Sequence, residues 1–298
     1  MRIVSLLPSA TEILFAVGAG DGVAGVTFEC DFPAEARTRR IVSTSALRPG
    51  MTPAEIDAEV RLRIAAGEDL YRLDEGALSD IAPDLVVTQD LCAVCAVDVS
   101  SVDAAMAHLG CDGRVLTVDP QTLDEVIASI VTIGTATGHA DRARELAAEA
   151  TRRLDAVRRA VDGLPRPKVA VVEWTDPPFC AGHWVPDMIA AAGGTAVLGR
   201  PGEDSQRISW DDVAAAAPDL VVIAPCGYRL EGAISLAEQA IDAGLTPPDV
   251  PVWAVDADAA YVRPGPRLVD GVEALAGMLH PGAVTPRPEL ARYVGTRF

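Results

Sequence analysis

The chain has 298 residues, with 43 Asp and Glu against 25 Lys and Arg, a formal charge of -18. That is the wrong sign for a general binder of phosphate backbones, so nucleic acid drops out as a partner. Hydrophobic residues at 49% and charged ones at 23% describe a packed chain rather than a disordered one, long enough for one large domain or two modest ones.

Arg2 to Leu7 reads as a short strand, followed by a turn at Pro8 and a helix that Ser9 and Glu12 would open as a capping box. The same stretch carries one basic residue and only a weak apolar run, interrupted by Pro8 and Glu12. With no convincing cleavage site, the expectation is a cytoplasmic chain. Apolar runs such as Val169 to Val172 fall far short of the ~20 residues that span a bilayer, so membrane insertion is not expected. Six cysteines are too few for a disulfide scaffold of this length, and thiols are expected in a reducing compartment.

Val23 to Thr27 and Arg40 to Val42 continue as strands, and the spacing of Ile56, Val60 and Ile64 after Thr52 and Glu55 predicts a surface helix over 52–66. A short helix follows from Asp74 to Ile81, then a buried parallel strand from Leu85 to Thr88. The phrase APDLVV, which starts at Ala82, recurs at Ala217, each time between a helix and a branched run. Repetition of a helix, a turn and a strand points to two lobes of related construction.

Between the repeats, residues 122–162 keep a three-to-four apolar spacing through Ile127, Ile130, Val131, Ala143, Leu146, Ala150, Leu154 and Val157. This predicts a long linking helix, either one rod or broken near Gly134 to Gly138. The expected organisation is therefore α/β: a lobe over 1–121, a backbone helix over 122–163, and a second lobe with closing helix and tail over 164–298. In the second lobe, strands are expected at 169–173, 220–224 and 252–255, and helices at 185–192, 209–217, 233–243 and 267–279.

The segments LLPSATEILFAVG from Leu6, GVTFECDFP from Gly25, PPFCAG from Pro177, AAGG from Ala191 and RPGPR from Arg263, with the APDLVV units, occur in order around the linker. In this the chain resembles the cobalamin and iron-siderophore substrate-binding proteins of ABC importers, particularly the vitamin B12-binding branch. The resemblance covers roughly residues 1–280. It implies two Rossmann-like lobes joined by a backbone helix, the class III periplasmic-binding-protein arrangement, with ligand held in the cleft between them. It also implies permease docking through one acidic residue per lobe, matched here by Glu55 and Asp211. The missing leader and the enlarged segment 50–76 depart from importer-associated members and argue against docking.

Ligands of α/β lobes meet residues just beyond the carboxyl ends of strands. Cys30, Cys92, Cys95, Cys180 and Cys226 follow predicted strands in this way, whereas Cys111 precedes one and reads as a structural thiol. Cys92 and Cys95 form a CxxC, able to ligate a thiophilic metal or iron-sulfur centre, to act as a redox pair, or simply to pack. His183 stands three residues after Cys180 and beside Trp184, as a metal or axial ligand or as a partner of a helix start. Phe28, Trp174, Phe179, Trp184 and Tyr228 offer faces on which a corrin or similar ring would stack. Glu29, Asp31 and Asp90 favour a cationic or metal-bearing ligand, while Arg263 and Arg267 either meet a ligand carboxylate or amide or pin the terminal helix.

No Ser/His/Asp order, HExxH pair or phosphate-binding glycine loop accompanies these residues, so a thiol-dependent enzyme is the lesser reading. The leading expectation is a non-enzymatic protein binding cobalamin or a related metal-containing small molecule, acting as an intracellular sensor, store or carrier. The alternatives are a cysteine-ligated metal protein and a protein-interaction module built on segment 50–76.

Overall fold

The computed structural model describes residues 1–89 and 113–297. It divides into two units, one of residues 1–120 and 127–148 and one of residues 121–126 and 149–298.

In the first unit the parallel strands are β1 (Ile3–Ser5), β2 (Val23–Thr27), β3 (Arg40–Ser45), β5 (Leu85–Thr88) and β6 (Arg114–Thr117). The edge strand β4 (Tyr71–Leu73) joins β3 antiparallel, giving the order β4-β3-β2-β1-β5-β6. Because side chains alternate along a strand, Ile3 and Val4 enter different cores, as do Val87 and Val86. Both faces of the sheet are therefore covered, which is why its strands read as continuous apolar runs. Helix α1 (Pro8–Ala16) contributes Ala10, Ile13 and Leu14 to one face, and α3 (Glu75–Ile81) contributes Ala77 and Leu78 to the other.

The expected Ser9–Glu12 capping box does not form. Pro8, whose ring pre-sets helical φ, takes the first helical position and puts Ser9 and Glu12 inside α1, both buried. The box expected on α2 (Pro53–Ala66) is present: Glu55 accepts the Thr52 N–H at 2.8 Å, and Thr52 accepts the Glu55 N–H.

The second unit has the strand order β10-β8-β7-β11-β12-β13, with β9 (Thr195–Ala196) also on β7. Its parallel centre is β7 (Lys168–Thr175), β11 (Leu220–Ile223) and β12 (Pro251–Val255). Antiparallel β8 (Pro178–Cys180), β10 (Gln206–Arg207) and β13 (Ala291–Thr296) complete the two sides. These short antiparallel pieces lack the apolar runs that betray a central strand, and none was expected from the sequence.

The linker is two helices, α4 (Leu123–Ala136) and α5 (Ala140–Ala160). Gly138 at φ +79° makes the break, and the side chain of Thr137 turns back onto the carbonyls of Ile133 and Gly134. The division between units falls inside both helices, after Val126 in α4 and after Ala148 in α5, so each of them runs between the two α/β lobes. Among the described residues no helix is long and apolar enough to cross a membrane.

The repeated APDLVV phrase has one structural meaning in both units. Ala82 and Ala217 lie at φ +45° and +47°, each ending a helical segment in the left-handed region. Asp84 then accepts the N–H of Arg2, just before β1, and Asp219 that of Lys168, the first residue of β7, each at 2.6 Å. Their own N–H groups return to the carbonyls of Arg2 and Lys168, each at 2.8 Å. The register that follows, Ile3 beside Leu85 and Val169 beside Leu220, is the same in the two sheets.

Candidate functional site

The parallel strands β7, β11 and β12 of the second unit end side by side, and the residues after them form one cluster. Trp174 stands near the end of β7 and Tyr228 just past β11, with ring centroids 6.1 Å apart and planes at 63°. The Cys226 N–H bonds the carbonyl of Glu173, so the turn after β11 is tied to the end of β7. After β12, Asp258 accepts the Gly227 N–H at 3.1 Å and pairs with Arg263 at 3.3 Å, and its own N–H reaches the Tyr228 carbonyl. Burial pushes the Tyr228 phenol above its ordinary range, keeping it neutral. Trp174, Cys226, Tyr228 and Arg263, predicted separately from the sequence, thus come together.

Asp258, the residue that joins them, was not anticipated. Its place in α9 (Ala257–Ala260), just after a strand, was the available signal, but its partner Gly227 is 31 positions away.

His183 occupies a neighbouring loop at φ +49°. Its N–H donates to the Glu203 carbonyl at 2.7 Å and its carbonyl accepts from Gly202. The preceding Gly182 permits this approach, since a Cβ there would sit 2.3 Å from the Glu203 carbonyl oxygen. His183 Nδ1 is 3.3 Å from Gln121 Oε1, and its ring lies 5.6 Å from that of Trp184.

Other expected site residues are placed in the packing. Trp184 is 4% exposed and donates its indole N–H to the Tyr261 carbonyl at 2.7 Å. Cys180 is 3% exposed and lies within strand β8, paired with Val172 and Gln206, rather than in a loop. Burial there raises its thiol above the usual range, which makes it a poor thiolate. Phe179, half-buried, pairs in register with Trp174 across β7 and β8.

In the first unit Cys30 is 2% exposed within the core, its sulfur 2.9 Å from the Thr11 hydroxyl. Phe28 and Tyr71 are 6.1 Å apart by ring centroid, and the Tyr71 hydroxyl donates to Glu29. Tyr71 was missed because it sits on the edge strand β4, within the segment read as an enlarged connection.

Cys92 and Cys95, with Asp90 and Cys111, lie outside the described residues. Among the described residues Cys30, Cys180 and Cys226 form no disulfide. Among the described residues no three His, Cys, Asp or Glu side chains come together to hold a metal, so Cys180 and His183 do not form such a group there. The docking candidates lie on helix first turns: Glu55 within its capping box, held below the usual carboxylate range by Thr52, and Asp211 exposed on α7 (Trp210–Ala215).

A family model described as Periplasmic binding protein matches residues 3–241. The chain belongs to the periplasmic binding protein family. It is 26% identical over 295 residues to the uncharacterized ABC transporter substrate-binding lipoprotein YvrC of Bacillus subtilis (strain 168), covering 94% of this chain and 80% of the relative. Its fold is similar to that of a periplasmic heme binding protein from Pseudomonas aeruginosa, at 21% identity and a TM-score of 0.74, over 100% of this chain and 99% of that one. It is also similar to the periplasmic vitamin B12 binding protein BtuF of Vibrio cholerae, at 21% identity and a TM-score of 0.66, over 93% and 96%. At such identities the likeness is one of fold, and it spans heme and B12 binders alike rather than a B12 branch alone.

Membership corrects two expectations. A periplasmic binding protein works outside the cytoplasm, so the cytoplasmic assignment falls, and with it the intracellular sensor, store or carrier. The weak apolar stretch at the start is β1 and α1 of the folded domain, which say nothing of compartment. The CxxC is likewise withdrawn as a functional signature, since the chain belongs to the periplasmic binding protein family and its described cysteines form no disulfide.

Proposed function

We propose that this periplasmic binding protein takes up a metal-bearing macrocycle of the cobalamin or heme kind and serves an ABC importer as its substrate-binding component. The observation that carries the reading is the Trp174–Tyr228 ring pair beside the Arg263–Asp258 ion pair, where three parallel strands end. A broad, partly apolar ring is well served by aromatic faces flanked by a few fixed polar groups. The relatives named for heme and vitamin B12, and the ABC transporter lipoprotein, support the same class of cargo and the same system.

Titration with cyanocobalamin and with hemin, followed by visible absorption and by quenching of tryptophan fluorescence, tests the reading. At least one probe should saturate at one equivalent. Trp174→Ala should weaken that binding about tenfold, the loss of roughly one aromatic contact, with an unchanged circular dichroism spectrum. If neither probe changes either signal at millimolar concentration, the reading is wrong.

A further inference from the structure

We infer that Gly232 is a positioning residue for the aromatic face: by carrying no side chain it seats the Tyr228 ring against Trp174, and so sets the affinity for the macrocycle that this face takes. The inference rests on the function proposed above and adds to it a residue that reaches the ligand only through Tyr228.

Tyr228 is held by its backbone on both sides. Its N–H donates to the Pro225 carbonyl at 3.2 Å, and its own carbonyl accepts the Asp258 N–H at 3.2 Å. What the backbone leaves unset is rotation of the ring about its side-chain torsions. Trp174 meets that ring at 6.1 Å between centroids. Gly232, in the first turn of α8 (Leu230–Asp242), approaches it as well. Helical side chains lean toward the N-terminus of their helix, so a Cβ on Gly232 would point back at the turn that carries Tyr228. It would lie 2.7 Å from ring carbon Cδ1 of Tyr228 and 3.5 Å from its Cβ and Cγ. The first of these distances is far inside van der Waals contact, so any side chain at 232 drives the ring from its present place.

Glycine is a poor helix former, and Gly232 is not among the glycines of this chain that use a left-handed backbone. Its weakness in the helix is offset by the room it leaves. Tyr228 is half-buried, so part of its ring stays open to a ligand. A ring already seated loses little conformational freedom when a ligand stacks on it, which is how preorganisation raises affinity.

The experiment uses the full chain and whichever of cyanocobalamin and hemin saturates the wild type. Gly232→Ala should weaken that probe about fivefold, the effect of one misplaced aromatic contact, with an unchanged circular dichroism spectrum. Tyr228→Ala should weaken it by at least as much. In the Tyr228→Ala background the added Gly232→Ala should cost nothing further, because the methyl then has no ring to displace. A loss that reflected the helix alone would be the same in both backgrounds. Ser235→Ala, an exposed change in the same helix that also favours helix, should leave the affinity unchanged. The inference is overturned if Gly232→Ala binds as the wild type does, if its loss persists without the Tyr228 ring, or if Tyr228→Ala costs nothing. A Gly232→Ala chain that fails to fold overturns it too, since the glycine would then be a requirement of the fold. A wild type that binds neither probe refutes the proposed function and this inference with it. One that binds a probe while the variants give any of the overturning results refutes the inference alone.

Discussion

Ala82 and Ala217 place a methyl group where the backbone is left-handed, at φ +45° and +47°, and each is followed by a proline that fixes the exit of the chain. An L-residue in that region costs about 1–2 kcal/mol, against the ~0.5–1 kcal/mol of extra chain entropy that glycine loses on folding. Ala82→Gly and Ala217→Gly should therefore each stabilise the protein by about 0.5–1 kcal/mol, read as a higher urea midpoint at an unchanged slope. The recurrence of APDLVV was legible in the sequence, and so was its place between helix and strand. The carboxylate of the aspartate clamping the entry to a neighbouring strand was not, because Asp84 meets Arg2 across 82 positions. Trp184 shows the same limit. Next to His183 it looked like part of a ligand surface, yet its indole answers a carbonyl 77 residues away.

The linker shows what a heptad-like pattern does and does not specify. The apolar spacing in 122–162 identified helix throughout, and Gly134 to Gly138 marked the weak point, but rod and broken rod have nearly the same pattern. The tertiary contact decides: Gly134 of α4 lies so close to α5 that a Cβ would come within 2.2 Å of Ala143 Cβ and 3.2 Å of the His139 carbonyl oxygen. Gly134→Ala gains up to about 1 kcal/mol of helix propensity yet should destabilise by about 1–3 kcal/mol net, since backbone must move to admit the methyl. Thermal unfolding would show the sign directly. A rise in melting temperature would mean that the two helices separate at little cost.

At the scale of the molecule, acid stability depends on an ionic network that ties the bridging helix to the closing helix, α10 (Leu268–Leu279), and to the tail. Arg153 on α5 pairs with Asp270 and Glu273 of α10, and Arg287 of the tail meets Glu273 as well. Burial of Glu273 opposes its ionisation, but the two arginines outweigh it and hold its carboxyl below the ordinary 4.5. The sign follows: the folded state gives up this proton more readily than the unfolded chain. The stabilisation is complete above pH 4.5 and is lost as pH falls through the lower folded value. Glu273→Gln should cost about 1–2 kcal/mol at neutral pH, and its deficit against the wild type should close in acid, measured as urea midpoints across the pH range.

Composition and periodicity by themselves determined the α/β class, the two related lobes and the bridging helical segment, because strand and helix patterns are local and the apolar runs needed both sheet faces covered. They also put Trp174 and Tyr228 in loops at strand ends, although Trp174 proves to be the next-to-last residue of β7. Only the tertiary structure decided that these meet through Asp258, that Cys30 and Cys180 are packed away, and that the linker bends, because side-chain direction and partners are set by contacts between segments far apart in the chain.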